Sequence, residues 1–270
     1  MFSFEPQNVF AKLFSDGITA ESKKFKIERV KKIKKCFCNR DIDEYEMQEI
    51  VDGIRDNTFY SYNGKDYPIS NLRKELFNRN DETYKDFKTE IVPINERTYK
   101  KLSSSLNNTF KTFNINTCIK KIHFLSQMTI ETAYFTSTIE LKNEKLTYDD
   151  FRGRGFLQLT HEGNIDNRTQ NATSYLGYKL YSKNDVITTP SLISKSIDLS
   201  SDSAGWFWTK GVRKIDGSTI NLNLLCKDSY DNIEEITRLV KGAATELQER
   251  IDAFNILKLI FEYDKCKNEK

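Results

Sequence analysis

The sequence predicts a mainly α-helical protein with a minor β element. Apolar residues recur at helical spacing in most of the chain from position 91 onward. Three segments, 41–44, 231–234 and 245–248, have the pattern of a helix N-cap followed three residues later by a carboxylate or amide side chain. Alternating apolar and polar residues, which are typical of half-buried strands, are scarce. The 270 residues are enough for one large domain with a smaller partner.

The first 90 residues (1–90) are predicted to form a small α+β region, and residues 91–270 the main helical domain. A helix is expected after an N-cap at Asp41 with Glu44 as its carboxylate, and its apolar face consists of Met47, Ile50, Val51 and Ile54. The pair Asn63-Gly64 indicates a turn. Ser70 is a candidate cap for a short helix that extends to Phe77.

The most informative helix is predicted from Asn116 to about Phe135. Its apolar face is formed by Cys118, Ile119, Ile122, Leu125, Met128 and Thr129. A separate polar row contains His123, Gln127 and Glu131, which are spaced four residues apart and therefore lie roughly above one another. A carboxylate near the end of a well-anchored helix is held rigidly, which suits a catalytic acid.

The remaining elements follow from glycine, proline and capping positions. Gly153 and Gly155 permit a tight turn or a close approach to a ligand, and a short extended segment is expected at 156–160. Thr189-Pro190 predicts a helix start, and the helix through 204–208 is expected to end near Gly211. The two later N-cap motifs predict a helix that stops at Gly242 and a final helix after residue 245.

Composition and charge exclude some classes of function. A net charge of +3 is too small to indicate nucleic-acid binding by itself, so no nucleic-acid partner is expected. The basic residues that crowd the segment 23–35 are interpreted as a solvated face. There are two alternatives: the segment is attracted to an anionic polymer such as a bacterial wall, or it is an arm that binds nucleic acid. No stretch approaches the roughly 20 apolar residues of a membrane helix, so no membrane segment is expected.

The start of the chain lacks the basic and apolar pattern of a secretory signal. We therefore expect a protein that is made in the cytoplasm and reaches its substrate by another route, such as a secretion system or phage lysis. The five cysteines are odd in number and widely spaced, and no second pair complements Cys36-x-Cys38. Reduced and mostly buried thiols are therefore predicted. Neither histidine has metal-ligand spacing, so neither a metal nor a cofactor is expected.

The carboxylates are the better candidates for chemistry. Glycoside hydrolysis requires one protonated carboxyl to protonate the leaving oxygen and one carboxylate to activate water or attack the sugar. Glu131 and Glu140 are such a pair, separated by nine positions. Among 39 acidic residues this spacing is common, and by itself it fits two solvated surface carboxylates better than a catalytic pair.

Four segments resemble a known family. The run from His123 to Phe135, and the stretches 151–164, 192–208 and 236–254, resemble in order the signature segments of glycoside hydrolase family 19. That family comprises plant-type chitinases and many phage and bacterial lysozyme-like enzymes. Any one segment is a weak match, but four in the correct order are specific. The resemblance implies an α-rich, lysozyme-like fold and an inverting mechanism.

The resemblance also implies roles for individual residues. Glu131 matches the general acid, and Glu140 matches the base that activates water. The matching substrate-binding positions are Gln158, Thr160 and Asn164, to which we add Tyr134 beside the acid. The supporting residues are Arg250, Gln127 and Arg154, of which Arg250 matches the family's buried arginine. Tyr134 and Phe135 fit a cleft wall and a core position equally well, whereas Trp206 and Trp208 fit the core better than a sugar-stacking platform.

The chain departs from the family pattern at three positions, where Ile130, Lys241 and Ala243 replace a histidine, an asparagine and a glycine. These departures leave open a site of low activity. The expected substrate is peptidoglycan rather than chitin, because the short loops resemble bacterial members and no cysteine-rich chitin-binding module is present. A module that binds a glycan or a partner without hydrolysis is the alternative. A delivery partner or an inhibitor protein is also expected.

Overall fold

The computed structural model describes residues 36–71, 75–78, 90–140, 149–163, 174–212 and 218–266. The Lys-rich segment 23–35 and Asn164 lie outside these residues. The α-helices, in chain order, are α1 Glu44–Asn57, α2 Tyr99–Thr112, α3 Cys118–Glu131, α4 Tyr175–Ser182, α5 Ser191–Lys195, α6 Ile197–Trp206, α7 Tyr230–Lys241, α8 Leu247–Ile260 and α9 Tyr263–Cys266. A π-helical turn at Phe207–Gly211 extends α6. Short 3₁₀ helices occupy Ile69–Asn71, Ile94–Glu96, Asp149–Phe151 and Leu222–Leu224.

This architecture confirms the prediction of a mainly α-helical protein. Helix α3 packs most extensively against α8, α2 packs against α6, and α1 packs against both α2 and α8. Buried hydrophobic side chains from all these helices belong to one cluster. The residues 36–71 therefore share a core with the C-terminal helices, while the predicted division at residue 90 stays a prediction.

The helix that carries Glu131 is shorter than predicted. It begins at Cys118, where the Thr117 side chain accepts a hydrogen bond from the backbone N–H of Lys120. It ends at Glu131 because the backbone then turns into the left-handed region, with φ of +47° to +63° at Ala133, Tyr134 and Phe135. Three consecutive residues in this region cannot continue an α-helix.

Other predicted boundaries moved by a few residues. The N-cap of α1 is Asp43, with Glu46 as the reciprocating carboxylate, rather than Asp41 with Glu44. Helix α7 is capped by Ser229 and ends at Gly242, which has φ +79° as the predicted stop signal requires. The helix expected from Ser70 is a 3₁₀ turn at Ile69–Asn71.

The β structure is small. Strands β1 Phe59–Tyr62 and β2 Lys65–Pro68 form an antiparallel hairpin, and the predicted turn at Asn63-Gly64 joins them. The extended segment predicted at 156–160 is wrong. Residues 155–158 form a tight turn, and isolated bridges join Arg154 to both Ile139 and Leu159.

The cysteines behave differently from the prediction. Cys36 is joined to Cys266 and Cys38 to Cys118, so the prediction of separate reduced thiols is wrong for these four residues. Of the cysteines, Cys226 is the one without a disulfide among the described residues. Trp206 and Trp208 are buried, which confirms the core interpretation. No helix in the described part of the chain is both long and apolar enough to cross a bilayer.

Candidate active site

The site is built around the C-terminal end of α3. The polar row on this helix faces α8, where the His123 ring packs against Phe254. One and two turns further on, Gln127 and Glu131 both contact Arg250, an inward-facing residue of α8. The guanidinium donates from Nη1 to Gln127 Oε1 at 2.5 Å and from Nη2 to Glu131 Oε1 at 2.6 Å. The structure therefore brings together three of the predicted site residues.

Arg250 is completely buried, whereas the Glu131 side chain is 13% exposed. Burying a guanidinium is costly unless its N–H groups are paired, so these bonds hold the two helices in a defined register. The Arg250 Nη2 also lies 3.5 Å from Glu246 Oε2. Glu246 in turn forms an ion pair with Lys241. A cationic side chain thus lies at the edge of this cluster.

The turn after Glu131 is held by a residue that sequence reasoning missed. Arg55 of α1 is 1% exposed, and it donates to the carbonyls of Tyr134 at 3.0 Å and of Phe135 at 3.2 Å. These bonds stabilise backbone in the left-handed region, which costs energy for non-glycine residues. The available signal was the position of Arg55 on the apolar face of its helix, one and two turns after Val51 and Met47.

Glu140 lies on a backbone segment that is paired with the glycine-rich stretch. Its backbone N–H donates to the Gly153 carbonyl, and its Oε2 accepts from the Gly153 N–H at 2.9 Å. Burial raises the pKa of Glu140, and the charge of Glu131 raises it further. The Gly153 hydrogen bond and the charges of Arg152 and Lys241 oppose this rise without cancelling it.

Gln158 links the C-terminal end of α3 to the glycine-rich segment. Its Nε2 donates to the backbone carbonyl of Glu131 at 3.1 Å and to that of Gly155 at 3.2 Å. Its Oε1 is buried against Gly153 and has no hydrogen-bond partner among the described residues. A Cβ atom at position 153 would lie 2.6 Å from this oxygen, so only glycine permits the contact.

Arg154 anchors the glycine-rich segment through its side-chain hydrogen bonds. It forms two parallel bonds to the Glu90 carboxylate, at 2.7 and 2.8 Å, and a third to the Tyr175 hydroxyl at 3.0 Å. Burial acts to raise the pKa of Glu90, but the bonds and charge of Arg154, with Ser194 and Arg152, outweigh it and lower the pKa to about 2. The geometry places Arg154 as a bracing residue that holds this segment to Glu90 and Tyr175.

The other predicted substrate-binding residues are less directly placed. Thr160 is half-buried, and Asn164 lies outside the described residues. Tyr134 is 6% exposed, so its burial does not support the predicted sugar contact, which stays a prediction. A small cavity among the described residues is lined by Phe77, 90–92 and 136–139, and neither Glu131 nor Glu140 contributes to it.

The cysteines that could hold a metal are remote from the carboxylates. Cys118 is the first residue of α3 and Glu131 is the last, which separates them by roughly 20 Å along the helix at 1.5 Å per residue. A metal held by these cysteines would therefore not reach the Glu131 carboxylate.

No protein-family model and no curated protein matches the chain. Solved structures of chitinases resemble the fold weakly. A mutant of chitinase C is 18% identical with a TM-score of 0.45, and the match covers 61% of this chain and 84% of that one. Chitinase C from Streptomyces griseus is 16% identical with a TM-score of 0.41, covering 59% and 83%. Similarity of this degree carries no argument about activity.

Proposed function

We propose that the protein is a glycoside hydrolase that cleaves β-1,4 bonds between amino sugars, with Glu131 as the acid and Glu140 as the base. The observation that carries this proposal is a pair of half-buried carboxylates with different surroundings. Glu131 is bonded to the buried guanidinium of Arg250, whereas Glu140 accepts one backbone hydrogen bond and has a raised pKa. A buried carboxyl group whose pKa is raised is typical of acid–base sites.

In an inverting reaction the acid gives its proton to the leaving oxygen while the base removes a proton from the attacking water. The buried Oε1 of Gln158 is an acceptor beside Gly153 and Glu140, so it is suited to orient that water or a sugar N–H. In the protein without substrate, Arg250 forms an ion pair with Glu131. The assignment of the two roles follows the resemblance in the sequence, whereas the raised pKa of Glu140 by itself suits a proton donor, so an exchange of the two roles is an outcome that the tests below detect.

The first test measures new reducing ends from purified peptidoglycan and from chitin, followed by mass spectrometry of the products. We expect the wild-type protein to cut peptidoglycan, and Glu131→Gln and Glu140→Gln each to lower the rate by about 10²-fold or more. Cleavage of chitin alone would change the substrate assignment. Binding of either polymer by all three proteins, with no new reducing ends, would favour a binding module over an enzyme.

The second test assigns the acid and the base. A glycoside whose leaving group needs no protonation should restore much of the activity of Glu131→Gln but not that of Glu140→Gln. Azide, a small nucleophile, should restore turnover to Glu140→Ala and give a glycosyl azide of inverted configuration. The opposite pattern would show that the two residues have exchanged roles.

We further propose that the protein acts on the cell wall after delivery by a secretion system or phage lysis.

A further inference from the structure

Four cysteines from three distant parts of the chain meet at one point. Cys36 and Cys38 lie in the loop before α1, Cys118 begins α3, and Cys266 ends α9. Their sulfur atoms all lie within 4.8 Å of one another. The Cys36 Sγ, which is joined to Cys266, also lies 3.0 Å from the Sγ of Cys38 and 3.6 Å from that of Cys118.

Two disulfides and a metal site use the same sulfurs but make different geometric demands. Disulfides require only that each pair of sulfurs is adjacent. A tetrahedral zinc site requires all four around one point, and a Zn–S bond of about 2.3 Å places the sulfurs roughly 3.8 Å apart. Two independent disulfides would not require all four sulfurs to lie within 4.8 Å of one another, whereas a zinc site does. We propose that these four residues bind one zinc ion in the reduced protein.

The surroundings suit an anionic centre. Four thiolates and one Zn²⁺ carry a net charge of −2. Cys118 is the first residue of α3, where the helix dipole and free N–H groups stabilise negative charge. Lys121 is 2% exposed, and its ammonium donates to the carbonyls of Phe37 and Arg40 in the cysteine loop, both at 2.7 Å. A buried cation at this position is favoured by an anionic neighbour.

Zinc binding converts four thiols and one Zn²⁺ into a tetrathiolate complex and releases four protons, so it needs no oxidant. Formation of the two disulfides instead removes four electrons from the sulfurs and therefore requires an oxidant. In a reducing compartment the thiolate form is therefore the one that persists. The zinc would tie the cysteine loop and α9 to the start of α3, the helix that ends at Glu131, and so would fix the helix pair that carries Glu131 and Arg250.

The test is the metal content of the full chain, produced in a reducing cytoplasm and purified without chelator or added reductant. We expect one zinc per chain by elemental analysis. Denaturation in a chelator should then expose all five cysteines to alkylation, because none is consumed in a disulfide. A chain without zinc would overturn the proposal whether its thiols are free or paired, and iron in place of zinc would overturn the assignment of the metal.

Variants locate the site. Cys38→Ser should lower the zinc content at least tenfold, whereas Cys226→Ser should retain it, because Cys226 lies outside the cluster. If Cys38→Ser does not fold, replacement of zinc by Co²⁺ in the wild-type protein provides a second measurement. A tetrahedral thiolate spectrum with an intense sulfur-to-cobalt charge-transfer band is expected. Zinc retained by Cys38→Ser, or a Co²⁺ spectrum of octahedral oxygen ligands, would overturn the proposal.

Discussion

Arg250 and Glu131 are 119 positions apart in the sequence and form a 2.6 Å ion pair in the structure. The guanidinium is fully buried, and its other terminal nitrogen is bonded to Gln127, one helical turn before Glu131. One side chain of α8 therefore fixes two successive turns of α3. The position of the proposed acid depends on this interhelical contact as much as on its own helix.

Arg250→Ala should destabilise the protein by about 3–5 kcal/mol, because it leaves the partly buried Glu131 carboxylate and Gln127 without their donor. Urea unfolding at neutral pH measures this change. The matched control is Arg238→Ala, which breaks the exposed Arg238–Glu234 pair on α7. The control should change stability by less than about 1 kcal/mol. Equal effects of the two variants would contradict the structural role given to Arg250.

Glu140→Gln should lower activity and raise stability at neutral pH. Burial raises the pKa of Glu140 in the folded protein, so the ionised carboxylate is less favourable there than in the unfolded chain. The stability that this group contributes is present below its unfolded pKa and is lost as pH rises through its folded pKa. The neutral amide avoids this loss, and thermal unfolding should show a larger gain at pH 7 than at pH 4.

Glu234→Gln on the surface of α7 is the control for this comparison, because its partner is an exposed arginine. It should not show the same gain at pH 7. A lower melting temperature for Glu140→Gln at pH 7 than for the wild type would argue against a carboxylate whose ionised form is disfavoured by burial at this site.

Lys241→Ala should move the acid limb of the pH–activity profile to higher pH. A base must be ionised, so activity falls as pH drops through the pKa of Glu140. The positive charge of Lys241 lowers that pKa, and its removal should raise it. The kcat/KM profile on a soluble substrate measures the shift. Lys241→Arg keeps the charge and should leave the acid limb at the same pH. An unchanged acid limb in Lys241→Ala would show that this limb does not report the ionisation of Glu140.

Glu90→Gln should make stability less dependent on acid. The pKa of Glu90 in the folded protein is about 2, below its ordinary value, so the pair with Arg154 contributes stability above the unfolded pKa. This contribution is lost as pH falls from about 5 toward about 2. Urea midpoints at pH 7, 5 and 3 should show a less stable variant at pH 7 and a smaller decline below it.

Glu262→Gln changes an exposed carboxylate that pairs with Lys265, and it serves as the control for Glu90→Gln. Its stability should follow the wild-type dependence on pH. If Glu90→Gln and Glu262→Gln decline in parallel, the Arg154–Glu90 pair does not supply the predicted acid sensitivity.

The sequence by itself determined the helical class, the helix that carries Glu131 and the glycines of the site segment, because apolar spacing, caps and glycines act over a few residues. It misplaced helix ends by two to four residues, since the three left-handed residues after Glu131 depend on Arg55 from another helix. The glycines indicated a tight turn, which lies at 155–158, but the extended segment predicted at 156–160 was wrong because Arg154 pairs with both Leu159 and the distant Ile139.

Only the tertiary structure decided which residues meet. The contact of Arg250 with Gln127 and Glu131 joins helices that are far apart in the chain, and only the resemblance to a family had suggested a role for Arg250. The cysteine cluster shows the same limit, because the two cysteines that meet Cys36 and Cys38 lie far away in the sequence, at positions 118 and 266. Local spacing carries no information about such partners. They are selected by tertiary packing, such as that of α3 against α8, in which the burial of apolar faces supplies the driving force and the polar groups are brought together as a consequence.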